Sequence, residues 1–369
     1  MSDEPAGGFQ ILHEFISKAR INLNHNIWDY LIGGTETETG VKRNRLALDS
    51  LALCPRVLVD VSKIDCGWDF FGRRIRLPVA LAPVGSLESF EPGGGATAAA
   101  GAGAFGVPLF ASSVTRPDLE AIGRAGSGPK VFQLYVRGDD GFIDDYVHRA
   151  VDAGYDAVCI TVDTALYSRR ERDTAKRWVK YWRPVDPAPL ACQAALNWGH
   201  IERFKARHRI PLILKGIATV EDAERAVGLG VDAVYVSNHG GRQLDHPRGS
   251  ADVLPEIVAA VAGRAKVFVD GGFSRGTDII KGIALGADLV LVGRLYCYAL
   301  AAAGAAGVAR MLEILENEVH QSLGLLGVTG FAQVGRNHVC PAPPVTLPHV
   351  HSAFPLLNLD TPPTLSGSS

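Results

Sequence analysis

Charge of one sign is what this 369-residue sequence most lacks: 37 Lys and Arg stand against 39 Asp and Glu, a formal net charge of −2. Without a basic field there is neither an electrostatic footprint for a nucleic-acid backbone nor a polybasic patch for lipid headgroups, and neither partner is expected. Cysteine is sparse. The six, at positions 54, 66, 159, 192, 297 and 340, form no Cys-x-x-Cys pair, which speaks against a zinc site or a dense disulfide framework and for reduced thiols in the cytosol. The first residues, Met-Ser-Asp-Glu-Pro-Ala-Gly-Gly, carry acids where a secretory signal needs a basic region and an apolar run, so a cytoplasmic protein is expected. Long apolar runs are missing too. The longest, Leu295 to Ala309, is mostly Ala and Gly between Arg294 and Arg310 and falls short of the ~20 residues that span a bilayer. It reads as a buried helix.

What is present is material for a large core, with 47% hydrophobic residues, and for many turns, with 41 glycines and 21 prolines. Short Val-, Ile- and Leu-rich runs recur at 78–82, 107–111, 130–134, 156–162, 211–215, 232–236, 266–270 and 288–292. Helix-like segments such as 140–153, 219–229, 251–262 and 275–285 separate them. Near-continuous apolar strands need both faces covered, so eight strand–helix alternations predict an α/β fold, a (β/α)₈ TIM barrel. An open doubly wound sheet is the alternative. Residues 1 to about 77 read as a helical preface, and residues 1–340 as a single domain. The Pro-, Thr- and Ser-rich stretch 341–369 reads as a flexible tail. One connection is long, from Thr164 to Ile210 after the fourth strand; it begins with charges (Arg169 to Asp173), ends in a helix over 197–209, and is expected to be a mobile lid. Gly101-Ala-Gly-Ala-Phe-Gly106 has the dinucleotide-loop spacing but precedes a strand instead of following one, and small-residue helix packing explains it better.

In a barrel the chemistry gathers where the strands end. Ser112, Gln133 with Tyr135, Thr161 with Asp163, Lys215, Ser237 with His239, Asp270, and Gly293 with Arg294 all fall there. Directly after the sixth apolar run stands Ser237-Asn-His-Gly-Gly-Arg-Gln-Leu-Asp-His246. Gly240 and Gly241 permit close approach of a ligand, Arg242 offers a planar fork suited to a carboxylate, and His239 is the candidate base. Alone, such a stretch also fits a polar loop with a solvated His and Arg. Asp270-Gly-Gly-Phe-Ser-Arg275 and Gly293-Arg294 follow the seventh and eighth strands, where barrels often bind phosphate, and a phosphorylated cofactor follows from that reading. The remaining histidines show no metal-ligand spacing, and no metal is expected.

Together these motifs resemble the FMN-dependent 2-hydroxy acid oxidase and dehydrogenase family, which includes glycolate oxidase, lactate oxidase, mandelate dehydrogenase and the flavin domain of flavocytochrome b2. The likeness extends from about Trp28 to His338 through Trp28-Asp-Tyr30, Leu81-Ala-Pro83, Phe132-Gln-Leu-Tyr-Val136, Thr161-Val-Asp163, Arg169-Arg-Glu171, Leu214-Lys-Gly216, Asp270-Gly-Gly272 and Val292-Gly-Arg294. It implies FMN as cofactor, a small 2-hydroxy acid as substrate, oxygen or another electron acceptor, and a homotetramer. It further implies His239 as base, Asp163 as its partner and Tyr135 on the substrate hydroxyl, with Tyr30, Arg170 and Arg242 on the carboxylate. Ser112, Gln133, Thr161, Lys215 and Ser237 would serve the flavin ring and ribityl edge. Asp270, Gly272, Arg275, Gly293 and Arg294 would hold the ribityl chain and phosphate.

The chain departs from family habit at Val114, where several oxidases carry an aromatic residue, and at Val84 and Gly85, where threonine and alanine are common. Less bulk there predicts room for a longer or aromatic side chain. The 170–215 connection is shorter than in most relatives and lacks an apolar membrane insert, and no haem domain is expected before the barrel. A type 2 isopentenyl-diphosphate isomerase is an alternative FMN barrel, but it leaves His239, Arg170 and Arg242 unexplained. A flavin- or phosphate-binding barrel without catalysis is the alternative from another class.

Overall fold

The computed structural model describes residues 8–178 and 188–357. Three helices open it, α1 (Leu12–Asn22), α2 (His25–Ile32) and α3 (Thr39–Asp49); Asn24 starts α2 by accepting from the main-chain N–H groups of Asn26 and Ile27. The segment before the barrel is not purely helical, as the sequence suggested. It adds a short strand, β1 (Leu51–Leu53), and a hairpin, β2 (Trp68–Phe70) with β3 (Arg73–Ile75). The hairpin turns through Phe71 at φ 47° and Gly72 at φ 80°, the left-handed pair that matches strand twist. Arg73 pairs with Asp156 at the foot of the barrel, and Phe70 and Ile75 close that end against Phe110, Tyr235 and Phe268.

The barrel strands are β4 (Val79–Leu81), β5 (Leu109–Ser112), β6 (Lys130–Leu134), β7 (Ala157–Thr161), β8 (Leu212–Ile217), β9 (Ala233–Val236), β10 (Lys266–Val269) and β11 (Leu289–Val292). All run parallel in sequence order, and β11 closes on β4 through Val290–Val79 and Val292–Leu81. Each falls on one of the eight apolar runs. Alternate residues divide the two layers of packing: Phe268 faces the interior with Ile213, Tyr235 and Leu291, while Val267 and Val269 face the helices.

The outer helices are α4 (Gly94–Phe105), α5 (Leu119–Arg124), α6 (Asp140–Asp152), α7 (Glu171–Ala175), α8 (Ala188–Ala195), α9 (Trp198–Arg207), α10 (Val220–Gly228), α11 (Ser250–Val261), α12 (Gly276–Ala284) and α13 (Arg294–Leu326). Asp118, Asp139 and Thr219 cap α5, α6 and α10 with their side-chain oxygens. By length and a mean hydropathy of 1.4, α13 could cross a membrane, yet 67% of that window is buried and the helix packs on α1 and α4, as a core helix does. It breaks at Ala303 and Gly304. Gly101 belongs to this packing: a Cβ there would meet the Ala305 carbonyl at 2.6 Å, so the glycine spacing serves helix contact and not a pyrophosphate.

The long β7–β8 connection carries α7, α8 and α9, and α7 is clipped to the opening helices by Arg172 on Glu38 (2.5 and 2.8 Å) and by Lys176 on Asp29. At the other end β12 (Val339–Pro341) pairs antiparallel with β1. Beyond it His351 hydrogen-bonds the Tyr298 hydroxyl at 3.1 Å, and Phe354 is 2% exposed beside His13. The stretch expected to be a flexible tail is thus held as far as Phe354 by aromatic burial; residues 358–369 lie outside the described residues.

Candidate active site

The strand ends of the barrel and the opening helices enclose a cavity of about 360 Å³, within the range of small-molecule sites. Its walls include Tyr30, Tyr135, Arg170, Lys215, His239, Arg242, Asp270, Gly272, Gly293 and Arg294. Asp163 stands behind His239, and Ser112, Gln133, Thr161 and Ser237 are buried at the strand ends.

His239 sits three residues past β9 in left-handed backbone, φ 59°, an uncommon conformation outside glycine that aims the ring into the cavity. Its main-chain N–H donates to the Ser237 hydroxyl at 3.0 Å. The ring lies between two partners: Nδ1 is 3.2 Å from Asp163 Oδ1 and Nε2 is 3.2 Å from the Tyr135 hydroxyl. Gly216 makes this possible. At φ 112°, just inside the end of β8, it passes so close to Asp163 that a Cβ would lie 2.5 Å from the aspartate Cβ. Burial and the nearby Lys215 lower the His239 pKa below its ordinary value, against the pull of Asp163. Burial opposes the charge on Asp163, but His239 and Lys215 outweigh it and hold the carboxyl below its usual range. Neutral imidazole beside carboxylate is therefore the resting state at neutral pH. Burial raises the Tyr135 hydroxyl, which stays protonated.

Arg242 lies over the Tyr30 ring at 4.8 Å and donates through one nitrogen to the carbonyls of Tyr30 (2.8 Å) and Gly33 (2.7 Å). Burial, with Arg170 adding repulsion, pushes it down to about 9, a cost that a bound carboxylate offsets. Arg170 lies against the Tyr167 ring at 5.1 Å, and its buried Nε has no hydrogen-bond partner. The Tyr30 hydroxyl donates to the Gly85 carbonyl at 3.2 Å.

On the other side of the cavity a buried chain runs from the Ser112 hydroxyl to Gln133 (2.7 Å) and from Gln133 to the Thr161 hydroxyl (2.8 Å). Lys215 donates to Ser237 at 3.0 Å and stands 3.9 Å from Asp270, which also accepts from the Tyr235 hydroxyl at 2.8 Å. The other Asp270 oxygen is buried without a partner. An orphaned carboxylate oxygen over a loop of left-handed glycines, Gly271 and Gly272, with the open main chain of Gly293 nearby, fits a polyhydroxylated phosphate ester such as FMN. Arg294 donates to the carbonyls of Leu31, Gly33 and Gly240. Arg275, expected on the phosphate, is absent from the cavity walls: it binds Glu318 at 2.5 and 3.2 Å and the Ala353 carbonyl at 3.2 Å, because α12 starts there and α13 presents an acid. Ser274 faces the cavity in its place.

Several wall residues escaped the motifs. Asn44 and Arg45 reach the cavity from α3, and Gln193 from α8 bridges the Val136 N–H (2.7 Å) and the Thr161 carbonyl (3.0 Å). These long-range placements leave no local signal. Arg137 does leave one: it sits two residues after Tyr135 just past the end of β6, and both line the cavity. The room expected from Gly85 is also reduced, since a methyl there would meet Val114 at 2.8 Å and the valine itself fills the space.

The family model for FMN-dependent dehydrogenases matches residues 19–341. A 4-hydroxymandelate oxidase of Amycolatopsis orientalis is 41% identical over 329 residues, 84% of this chain and 92% of that protein. Glycolate oxidase 1 of Oryza sativa subsp. indica is 36% identical over 347 residues, 88% and 94% of the two chains. Among solved structures, a mandelate oxidase with 2-hydroxy-phenylacetamide superposes with a TM-score of 0.84 at 39% identity, covering 90% of this chain and 99% of that one. With a matched model over most of its length, relatives above one-third identity and the same closed barrel, the chain belongs to the FMN-dependent dehydrogenase family.

Proposed function

We propose that the protein oxidises an L-2-hydroxy acid to the corresponding 2-oxo acid. The observation that carries this is an imidazole, held by Asp163 and Tyr135, in the same cavity as the Arg242 and Arg170 guanidinium groups. When bound, FMN would supply two-electron redox chemistry, with oxygen, giving hydrogen peroxide, or another acceptor as the final oxidant. Asp270, Gly272, Gly293, Arg294 and Lys215 would hold it, over the Ser112–Gln133–Thr161 chain.

This chain's own residues do the rest. Arg242 and Arg170 bind the substrate carboxylate by charge-assisted hydrogen bonds, with Tyr30 beneath Arg242. That anchors C2 near His239 Nε2, and Tyr135 hydrogen-bonds the substrate hydroxyl. His239 takes one proton as the electron pair leaves the substrate, and Asp163 fixes the ring tautomer and stabilises the imidazolium. A hydride route and a carbanion route use the same base and clamp. Apolar walls at Phe90, Val114 and Leu166 suit an aromatic or long side chain, and relatives named for mandelate and 4-hydroxymandelate support that size class.

The family resemblance also supports a cytoplasmic homotetramer; Val57 and Leu58, 80% and 103% exposed, offer apolar surface for such an assembly, which light scattering reads directly. The decisive experiment is an anaerobic visible spectrum of the FMN-loaded protein before and after glycolate, L-lactate, L-mandelate and a long-chain 2-hydroxy acid. Bleaching by mandelate or the long-chain acid, more than by glycolate, is expected. A flavin that no 2-hydroxy acid bleaches would refute the reading.

A further inference from the structure

The cavity walls are rich in unequal charge. Among the described residues, Arg45, Arg137, Arg170, Lys215, Arg242 and Arg294 face it against Asp270 alone. Most of these cations have work already. Arg45 is paired with Asp278 and Asp49, Lys215 lies by Asp270 and Ser237, and Arg294 holds three carbonyls. Arg242 and Arg170 suffice for one substrate carboxylate.

Among the described residues Arg137 is left over. It follows β6, where Tyr135 and Arg137 line the cavity while Val136 between them is 2% exposed and its main-chain N–H is held by Gln193. Burial lowers its pKa, and the groups that offset this are the hydroxyls of Tyr135, Tyr146 and Tyr167, with no carboxylate among them. Among the described residues none makes an ion pair with it. Leu166, Leu190, Ala191 and Ala194 complete an apolar wall in the same cavity. A half-buried guanidinium without a counter-ion, in a wall of this kind, is costly unless a ligand brings the missing charge.

Resting on the 2-hydroxy acid reading above, we infer that the substrate is a dicarboxylic 2-hydroxy acid: Arg242 and Arg170 take the carboxylate next to the hydroxyl, and Arg137 takes a second carboxylate across an apolar spacer. The rigid fork that suits one carboxylate suits the other.

Paired substrates test this. L-2-hydroxyglutarate is compared with L-2-hydroxyvalerate, and 4-carboxymandelate with 4-methylmandelate, by kcat/KM and anaerobic bleaching. The wild-type protein is expected to favour the diacid of at least one pair, and Arg137→Met to lower that diacid-to-monoacid ratio by about tenfold to a hundredfold, the usual worth of a charged hydrogen bond. Arg137→Glu should invert the ratio. A wild type that prefers both monoacids, or a ratio that stays within about twofold in Arg137→Met, overturns the inference. An equal fall for both members of a pair overturns it too, by placing Arg137 in general steering or in the fold. The flavin spectrum of each variant reports folding independently. Bleaching by monoacids alone would leave the oxidation chemistry standing while removing the second carboxylate, so the two readings fail separately.

Discussion

The two sides of the cavity are built on different principles. On the base side, His239, Asp163 and Tyr135 already lie within hydrogen-bond reach of one another, and the close approach of Gly216 fixes the aspartate. On the phosphate side, Arg294 spends its donors on main-chain carbonyls and Arg275 turns away to Glu318. Proton transfer needs donor and acceptor aligned to within tenths of an ångström, whereas an anion is held by summed charge and dipoles that tolerate several arrangements. The base side is accordingly the one on which a single substitution should cost most.

His239→Ala breaks the comparison hardest. Anaerobic stopped-flow reduction by the best substrate should slow by about 10²–10⁴-fold, the range general base catalysis supplies, while the bound FMN spectrum persists. Unchanged reduction would remove His239 from the mechanism. Asp163→Asn should slow reduction by about a hundredfold to a thousandfold through loss of ring orientation. Because Asp163 raises the His239 pKa, the same variant should shift the acid limb of the pH profile to lower pH.

On the phosphate side Arg294→Gln should weaken FMN about tenfold or more in a fluorescence titration, as expected for loss of a charged donor. Arg275→Gln should change FMN affinity by less than about threefold, since its partly exposed pair with Glu318 is worth at most about 1 kcal/mol to the fold. Equal effects of the two would erase the distinction between them. The smallest test is pH alone. The His239 pKa lies below its ordinary 6.5 and that of Arg242 is about 9, so kcat/KM should stay flat from about pH 7 to about pH 8, falling about tenfold per unit on the acid side of the depressed His239 value and again as Arg242 loses its charge near 9. An acid-limb inflection above 6.5 would contradict the buried neutral ring.

The barrel was legible because the strands are predominantly apolar runs and helical segments separate them, a pattern written locally. That the residues proposed as base, partner and clamp share one cavity was legible for a similar reason: strand ends place motif residues in one mouth. What stayed hidden depended on distance in sequence. Arg275 and its acid, Glu318, lie on successive helices, and nothing in the Asp270–Arg275 motif signals that the guanidinium will turn outward. The hairpin at 68–75 is too short for periodicity, and the space beside Gly85 could be judged only once Val114 was seen to fill it. The burial of Phe354 against His13 likewise joins the two ends of the chain.

The aromatic plug formed by Phe70 and Ile75 against Phe110, Tyr235 and Phe268 turns the barrel into a blind alley. Traffic through its foot is barred, so fuel, spent product and final electron acceptor all share the doorway at the mouth. An acceptor too large to slip past the oxo acid must queue until it has gone, and such an acceptor should give parallel lines in double-reciprocal plots.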